Sequence, residues 1–180
     1  MTMLVLMRNL VPSHKQYAKT EKRLGVRYLD TMEEMIGQCD IVTINAFLYE
    51  GTKGLFNKMI SKMKKGAWLV NTARGAICVK EEVTEALKNG QLNGYGDDVS
   101  YLQPAEKDHP CRSIRNIWNP NLGGGNAMTS HISGTSLNAQ KRYLDGTKEI
   151  LENIWSGQAQ KKQNIIVKGG KYVSPAYGQR

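Results

Sequence analysis

Apolar positions in this 180-residue chain come in short runs, and between them lie segments with a helical spacing. The run at 41–44 is rich in β-branched residues, and the run at 67–70 lies between turn-prone residues. Both suit strands buried on two faces. Residues 26–29 read as a further short strand. Thr31 followed by Glu34 has the spacing of a capping box that opens a helix through Ile36. Asn57 is placed to cap a helix over 58–64, with Met59, Ile60 and Met63 on one face. Val79, Val83, Ala86 and Leu87 give a second amphipathic helix that Gly90 ends. A glycine-rich strand over 92–99 and a minimal one over 127–129 follow. Leu137, Leu144, Leu151 and Ile154, with Ser136 before and Gly157 after, then mark a helix of about five turns. Residues 1–17 begin apolar and end in Pro12, Ser13 and His14, a pattern open to helix or strand. The tail from Gln158 is polar with one apolar run at 165–167, and is read as a packed arm. Such alternation of strand and helix predicts an α/β fold of the doubly wound, Rossmann-like class with a parallel sheet.

Composition narrows the functions. A 40% hydrophobic content is enough for one core. The net charge of +9 comes from Lys and Arg scattered along the chain, with no aromatic-interleaved stripe, so nucleic acid is not the expected partner. Cys39, Cys78 and Cys111 are odd in number and lack metal-ligand spacing, which points to no metal site and to a reduced, cytoplasmic setting. The apolar opening is interrupted by Arg8 and is too short to span a membrane. The strand at 67–70 ends in a polar loop with one cation, Arg74, followed by Gly75. Ligands of open α/β sheets bind beyond such strand ends, and a guanidinium there matches a carboxylate through two parallel hydrogen bonds. Gly75 is read as the residue that lets the backbone turn sharply.

Four further stretches join that loop: Ile44 with Asn45; Gly94, Tyr95 and Gly96 running to Asp98 and Val99; Gln103, Pro104 and Ala105 running to Lys107, Asp108, His109 and Pro110; and His131, Ile132, Ser133, Gly134 and Thr135. In this order and spacing the chain resembles the C-terminal, NAD-binding half of NAD-dependent formate dehydrogenases of the yeast type, a branch of the D-2-hydroxyacid dehydrogenase family. The resemblance implies hydride transfer from formate to NAD. It implies that Arg74 holds the formate carboxylate, that His131 faces it, and that Gln103 bonds His131 where hydroxyacid dehydrogenases use a carboxylate. A neutral amide does not stabilise an imidazolium as a carboxylate would, which favours formate over a hydroxyacid. Thr72, Asp98, Ser133 and Gly134 match positions that border the nicotinamide.

The departures lie close to this chemistry. Phe47 and Tyr49 stand where the family has Pro and His, Asp97 replaces a glycine, Ser100 and Cys111 replace tryptophans, and Ser130 replaces a proline. By the strand period, Asp97 is expected to face away from Asp98 and to disturb packing against a helix. No Gly-x-Gly-x-x-Gly occurs, so the turn that meets a dinucleotide's phosphates is not in the sequence, and NAD is expected to be held weakly.

The expected organisation is a remnant of an interdomain helix at 1–17, a partial NAD-binding domain at 18–157 and an arm at 158–180. The sheet is then incomplete, with the 41–44 strand exposing an edge unless 26–29 slides across to fill it. The functions to weigh are a truncated formate dehydrogenase of little or no activity, a non-catalytic remnant that pairs with itself or with an intact homologue, and a fragment of a hydroxyacid dehydrogenase.

Overall fold

The computed structural model describes residues 3–6, 22, 23, 25, 29, 31–113 and 125–173, the first four by backbone alone. It divides the chain into two compact units, 1–131 and 132–180.

The first unit is built on a parallel sheet. Its strands are β1 (Met3–Leu6), β2 (Ile41–Ile44), β3 (Ala67–Asn71), β4 (Leu92–Asp97) and β5 (Ala127–Met128), which lie side by side in that order. Among the described residues the helices that accompany it are α1 (Met32–Ile36), α2 (Lys80–Lys88) and α3 (Pro110–Ser113). Thr31 caps α1 as its spacing requires, its hydroxyl accepting from the Glu34 amide at 3.2 Å. Val42, Ile44, Leu69 and Tyr95 are fully buried, and with Ile36, Phe56, Ile77 and Val83 they form the core. Gly94 is fixed by crowding rather than by turn geometry, because a Cβ there would collide with the Gly125 carbonyl oxygen and lie 2.6 Å from the Trp68 ring.

Two expectations about the edge of the sheet give way. Residues 3–6 form a strand, not the end of a helix, and they pair in parallel with all four residues of β2, Met3 opposite Ile41 and Leu6 opposite Ile44. A backbone edge beside an apolar strand leaves donors and acceptors unpaired, and here the apolar run at 3–6 satisfies them. The position expected for 26–29 is therefore taken by β1, and residues 26–28 lie outside the described residues. The expected helix at 58–64 shrinks to a 3-10 turn over Ile60–Lys62, preceded by Met59 with no side-chain cap, so Asn57 does not cap it. Its apolar face survives, with Ile60 and Met63 both buried.

The second unit carries α4 (Leu137–Trp155), capped by Ser136, whose hydroxyl accepts from the Ala139 amide. It closes on a hairpin of β6 (Val167–Lys168) and β7 (Lys171–Tyr172) around Gly169 and Gly170, both at positive φ. The tail returns along α4: the Gln160 amide donates to the Ile150 carbonyl at 2.9 Å, and Lys161 pairs with Glu149 at 2.6 Å. The division after His131 groups α4 with the tail, where the sequence pattern had grouped it with the sheet. The tail also gains a hairpin that so short a polar stretch did not announce.

Candidate active site

The register of the sheet sets the site. Ile44 lies opposite Asn71, Asn71 opposite Asp97, and Asp97 opposite Met128. One step beyond this line stand Asn45, Thr72, Asp98 and Thr129, a polar row along the carboxyl edge of the sheet, where α/β folds bind ligands.

Asn71 organises the loop that follows β3. It is fully buried, and its carboxamide closes the turn in both directions, donating to the Arg74 carbonyl at 3.0 Å and accepting from the Ala73 amide at 3.1 Å. Thr72 and Arg74 are thereby held at the surface. The Arg74 guanidinium donates one N–H back to the Ala73 carbonyl at 2.7 Å. Gly75 is buried against the next loop: a Cβ on it would approach Val99 O and Tyr101 N to 2.7 Å. The glycine is required by this close approach of two backbones, not by the sharp turn inferred from its sequence position.

Asp98 is buried, and its carboxylate accepts from the Thr129 hydroxyl. Its amide donates to the Asn71 carbonyl at 3.1 Å, which ties the ends of β3 and β4 together. Gln103 and His131 are exposed and in contact, with Gln103 Nε2 and His131 Nδ1 2.9 Å apart. An amide nitrogen can only donate, so Nδ1 accepts and the ring carries its proton on Nε2. His131 has φ 62°, a left-handed conformation that a side chain rarely adopts, and strain of this kind collects at functional sites. The sequence-predicted residues of the first unit thus divide three ways: Gln103 with His131, Asp98 with Thr129, and Thr72 and Arg74 on the loop built by Asn71. Ser133 and Gly134 belong to the second unit, in the 3-10 turn Ser133–Thr135 that precedes α4.

Three supports were missed in the sequence. Asn71 has a local signature, an Asn closing a buried strand two residues before a loop amide it can bond. Thr129 has none beyond its place after β5. The third is a buried pair: Asp97 and His109 have fully buried side chains, with Asp97 Oδ2 3.2 Å from His109 Nε2, a close electrostatic contact that is not aligned as a hydrogen bond. Asp97 accepts a hydrogen bond on its other oxygen from the Tyr95 hydroxyl at 3.1 Å. Asp97 thus faces the histidine that leads into α3. Cys111 packs its thiol 3.6 Å from the Tyr95 and Ala127 carbonyls, and burial pushes that thiol up to about 12. Among the described residues no group of acidic, histidine and cysteine side chains could hold a metal, and no helix is long and apolar enough to cross a membrane.

This sheet, with its polar row and its histidine held by a side-chain partner, defines a class that the comparisons identify. Residues 1–133 match the NAD-binding domain of the D-isomer specific 2-hydroxyacid dehydrogenases, and the chain belongs to that family. It is similar to formate dehydrogenases: it is 57% identical over 165 residues to formate dehydrogenase from Neurospora crassa, covering 91% of this chain and 43% of that protein. It is 54% identical over 157 residues to truncated formate dehydrogenase 2 of Saccharomyces cerevisiae, covering 86% of this chain and 65% of that protein. Among solved structures, a Granulicella formate dehydrogenase superposes with a TM-score of 0.70 at 42% identity, over 87% of this chain and 40% of that one. The chain spans less than half the length of the N. crassa relative.

Proposed function

We propose that this chain carries the substrate-facing and nicotinamide-facing part of an NAD-dependent formate dehydrogenase site, with little or no turnover as a separate polypeptide. The single observation that carries the reading is the contact of the Gln103 amide with His131 Nδ1. A neutral amide fixes the ring in one tautomer and directs its Nε2–H outward as a donor, while offering no negative charge to support a proton on the ring. That suits a reaction in which formate arrives ionised and leaves as carbon dioxide with no proton to move.

The residues present fit one end of NAD. Asp98, held by Thr129, lies in the polar row with Thr72, and Ser133 and Gly134 match nicotinamide-side positions. Bound NAD would supply the hydride acceptor. The phosphate-binding glycine turn is not in the sequence, so the remaining contacts hold the cofactor at one end only and binding is weak. Arg74 offers the bidentate fork for formate once its guanidinium turns from the Ala73 carbonyl. His131 faces the same carboxylate and orients it.

The test is formate-dependent formation of NADH by the full chain, at high NAD. Arg74→Lys should raise the formate concentration for half-maximal rate by tenfold or more, about 1.4 kcal/mol, because an ammonium cannot supply the planar fork. The NAD dependence should move much less. A 2-hydroxy acid oxidised faster than formate would place the chain with the hydroxyacid enzymes instead.

A second reading is favoured by α4. Leu137, Leu144, Leu151 and Ile154 lie on one side of that helix, and all are exposed. Such a stripe suits pairing with another copy or with an intact homologue, the chain then serving as an interaction module in a reduced, cytoplasmic setting.

A further inference from the structure

Residues 98–109 join β4 to α3, and Gln103 stands within them. Several contacts secure the far end of this loop. Lys80 reaches from α2 to Glu106 at 2.8 Å and to Asp108 at 2.7 Å. Arg112 donates to the Ala105 carbonyl at 2.9 Å. His109, at the last position, is fully buried, with its ring tilted against Tyr101 at 5.5 Å and its Nε2 3.2 Å from Asp97. The Cys111 amide donates to His109 Nδ1 at 3.2 Å, so a neutral ring keeps its proton on Nε2, the nitrogen that lies beside the Asp97 carboxylate.

Asp97 has a second role through its backbone. Its carbonyl accepts from the Thr129 amide at 2.9 Å, just where β5 runs out toward His131. Residue 97 therefore touches the segments of both members of the Gln103–His131 pair: its side chain meets His109 at the end of the loop that carries Gln103, and its carbonyl bonds the strand that leads to His131. The glycine that the resembling family has at this position would supply the second link and not the first. A buried carboxylate is costly without partners, and Asp97 has two polar neighbours: the Tyr95 hydroxyl that donates to it and the His109 ring at 3.2 Å.

We propose that Asp97 and His109 are positioning residues that set the Gln103 amide against His131 Nδ1 and so hold the His131 ring in its Nε2–H tautomer. The inference deepens the proposed reading of Gln103 and His131 and rests on it for functional meaning. Its test reads the ring itself and needs no turnover.

The full chain, labelled with ¹⁵N-histidine, is observed by long-range ¹H–¹⁵N correlation, which separates the two ring nitrogens and reports the tautomer. The unaltered chain should show His131 as a single Nε2–H tautomer. Gln103→Leu should convert it to an averaged mixture; an unchanged tautomer in that variant would overturn the pair, and this inference with it. Asp97→Asn should also give the averaged pattern while the backbone amides of β2 and β3 keep their positions. A folded Asp97→Asn chain whose His131 stays in the single tautomer, with Gln103→Leu behaving as expected, overturns the positioning role alone. If Asp97→Asn does not fold, Lys80→Met decides. That variant removes only the solvent-side ties of the loop, so His131 should keep its tautomer. Averaging there would assign the loop's placement to Lys80 and overturn the role of the buried pair.

Discussion

At the scale of single residues, the loop that presents Arg74 is fixed by a backbone contact as much as by side chains, because Gly75 lies against residues 99–101. Arg74 beyond an apolar run could be read directly in the sequence. The reason for Gly75 beside it could not, because the atoms that exclude a side chain belong to residues 99–101, far along the chain. The consequence is testable. Gly75→Ala forces a methyl group to within 2.7 Å of main-chain atoms that have no freedom to turn aside, so the two loops must separate. Overpacking of this kind costs about 1–3 kcal/mol. Urea unfolding should show the midpoint falling by a corresponding amount with the slope unchanged. A midpoint equal to that of the unaltered chain would mean that the loops part freely and that the glycine is not held by this contact. Asp97 shows a different limit: the period of two placed it opposite Asp98, but both side chains are buried, and only the fold brings His109 to it.

At the scale of elements, the strands of the sheet beyond β1 and the longer helices followed from apolar spacing and caps. The short pieces did not, since two turns of helix and a 3-10 turn bury the same apolar pair. What spacing cannot disclose is the titrating cluster wedged between β4 and the segments around it. Burial pushes the Cys78 and Cys111 thiols up to about 12. Burial is also the main cause raising Tyr95 and Tyr101 above the usual phenol range, with the neighbouring Cys78 adding to it. Lys80 is raised as well, by its bonds to Asp108 and Glu106. The sign is the same for all five. In the unfolded chain the thiols lose their protons near 9.0 and the phenols near 10.0, while the folded chain still holds them. The folded state therefore binds more protons, and stability falls as pH rises. Full stability from these groups is expected below pH 9, with progressive loss above it. Thermal midpoints should be level from pH 7 to 8.5 and should drop steadily from pH 9 to 11. Cys78→Ala should blunt part of that drop, and a curve flat to pH 11 would contradict the burial of the cluster.

At the scale of the whole molecule, the family and the parallel sheet could be read from five weak motifs in one order, whereas the arrangement at the sheet's edge could not. The sequence left β2 with an open edge, and the structure closes it with β1. Association is therefore not driven by that side of β2. The second unit supplies a different reason for it. Among the described residues, eleven of the fifteen exposed large apolar ones fall within 132–173, and Ala139 is the one buried there. Leu137 and Trp155 at the two ends of α4 are 84% and 85% exposed. Burying an apolar side chain of this size is worth about 1.5–3 kcal/mol, so a stripe of four or five outweighs much of the cost of association. The chain is expected to sediment as a dimer or larger species at tens of micromolar, well above the 20.1 kDa of one copy. Charges placed on the stripe by Leu144→Lys with Leu151→Lys should shift it toward the monomer, while the far-ultraviolet dichroism of the sheet and helices persists. The positive charge of the whole chain opposes self-association, so added salt should strengthen the assembly by screening that repulsion. Sedimentation as a single monomeric species at all concentrations, unaffected by salt or by the two lysines, would show that the α4 stripe takes no partner of its own kind.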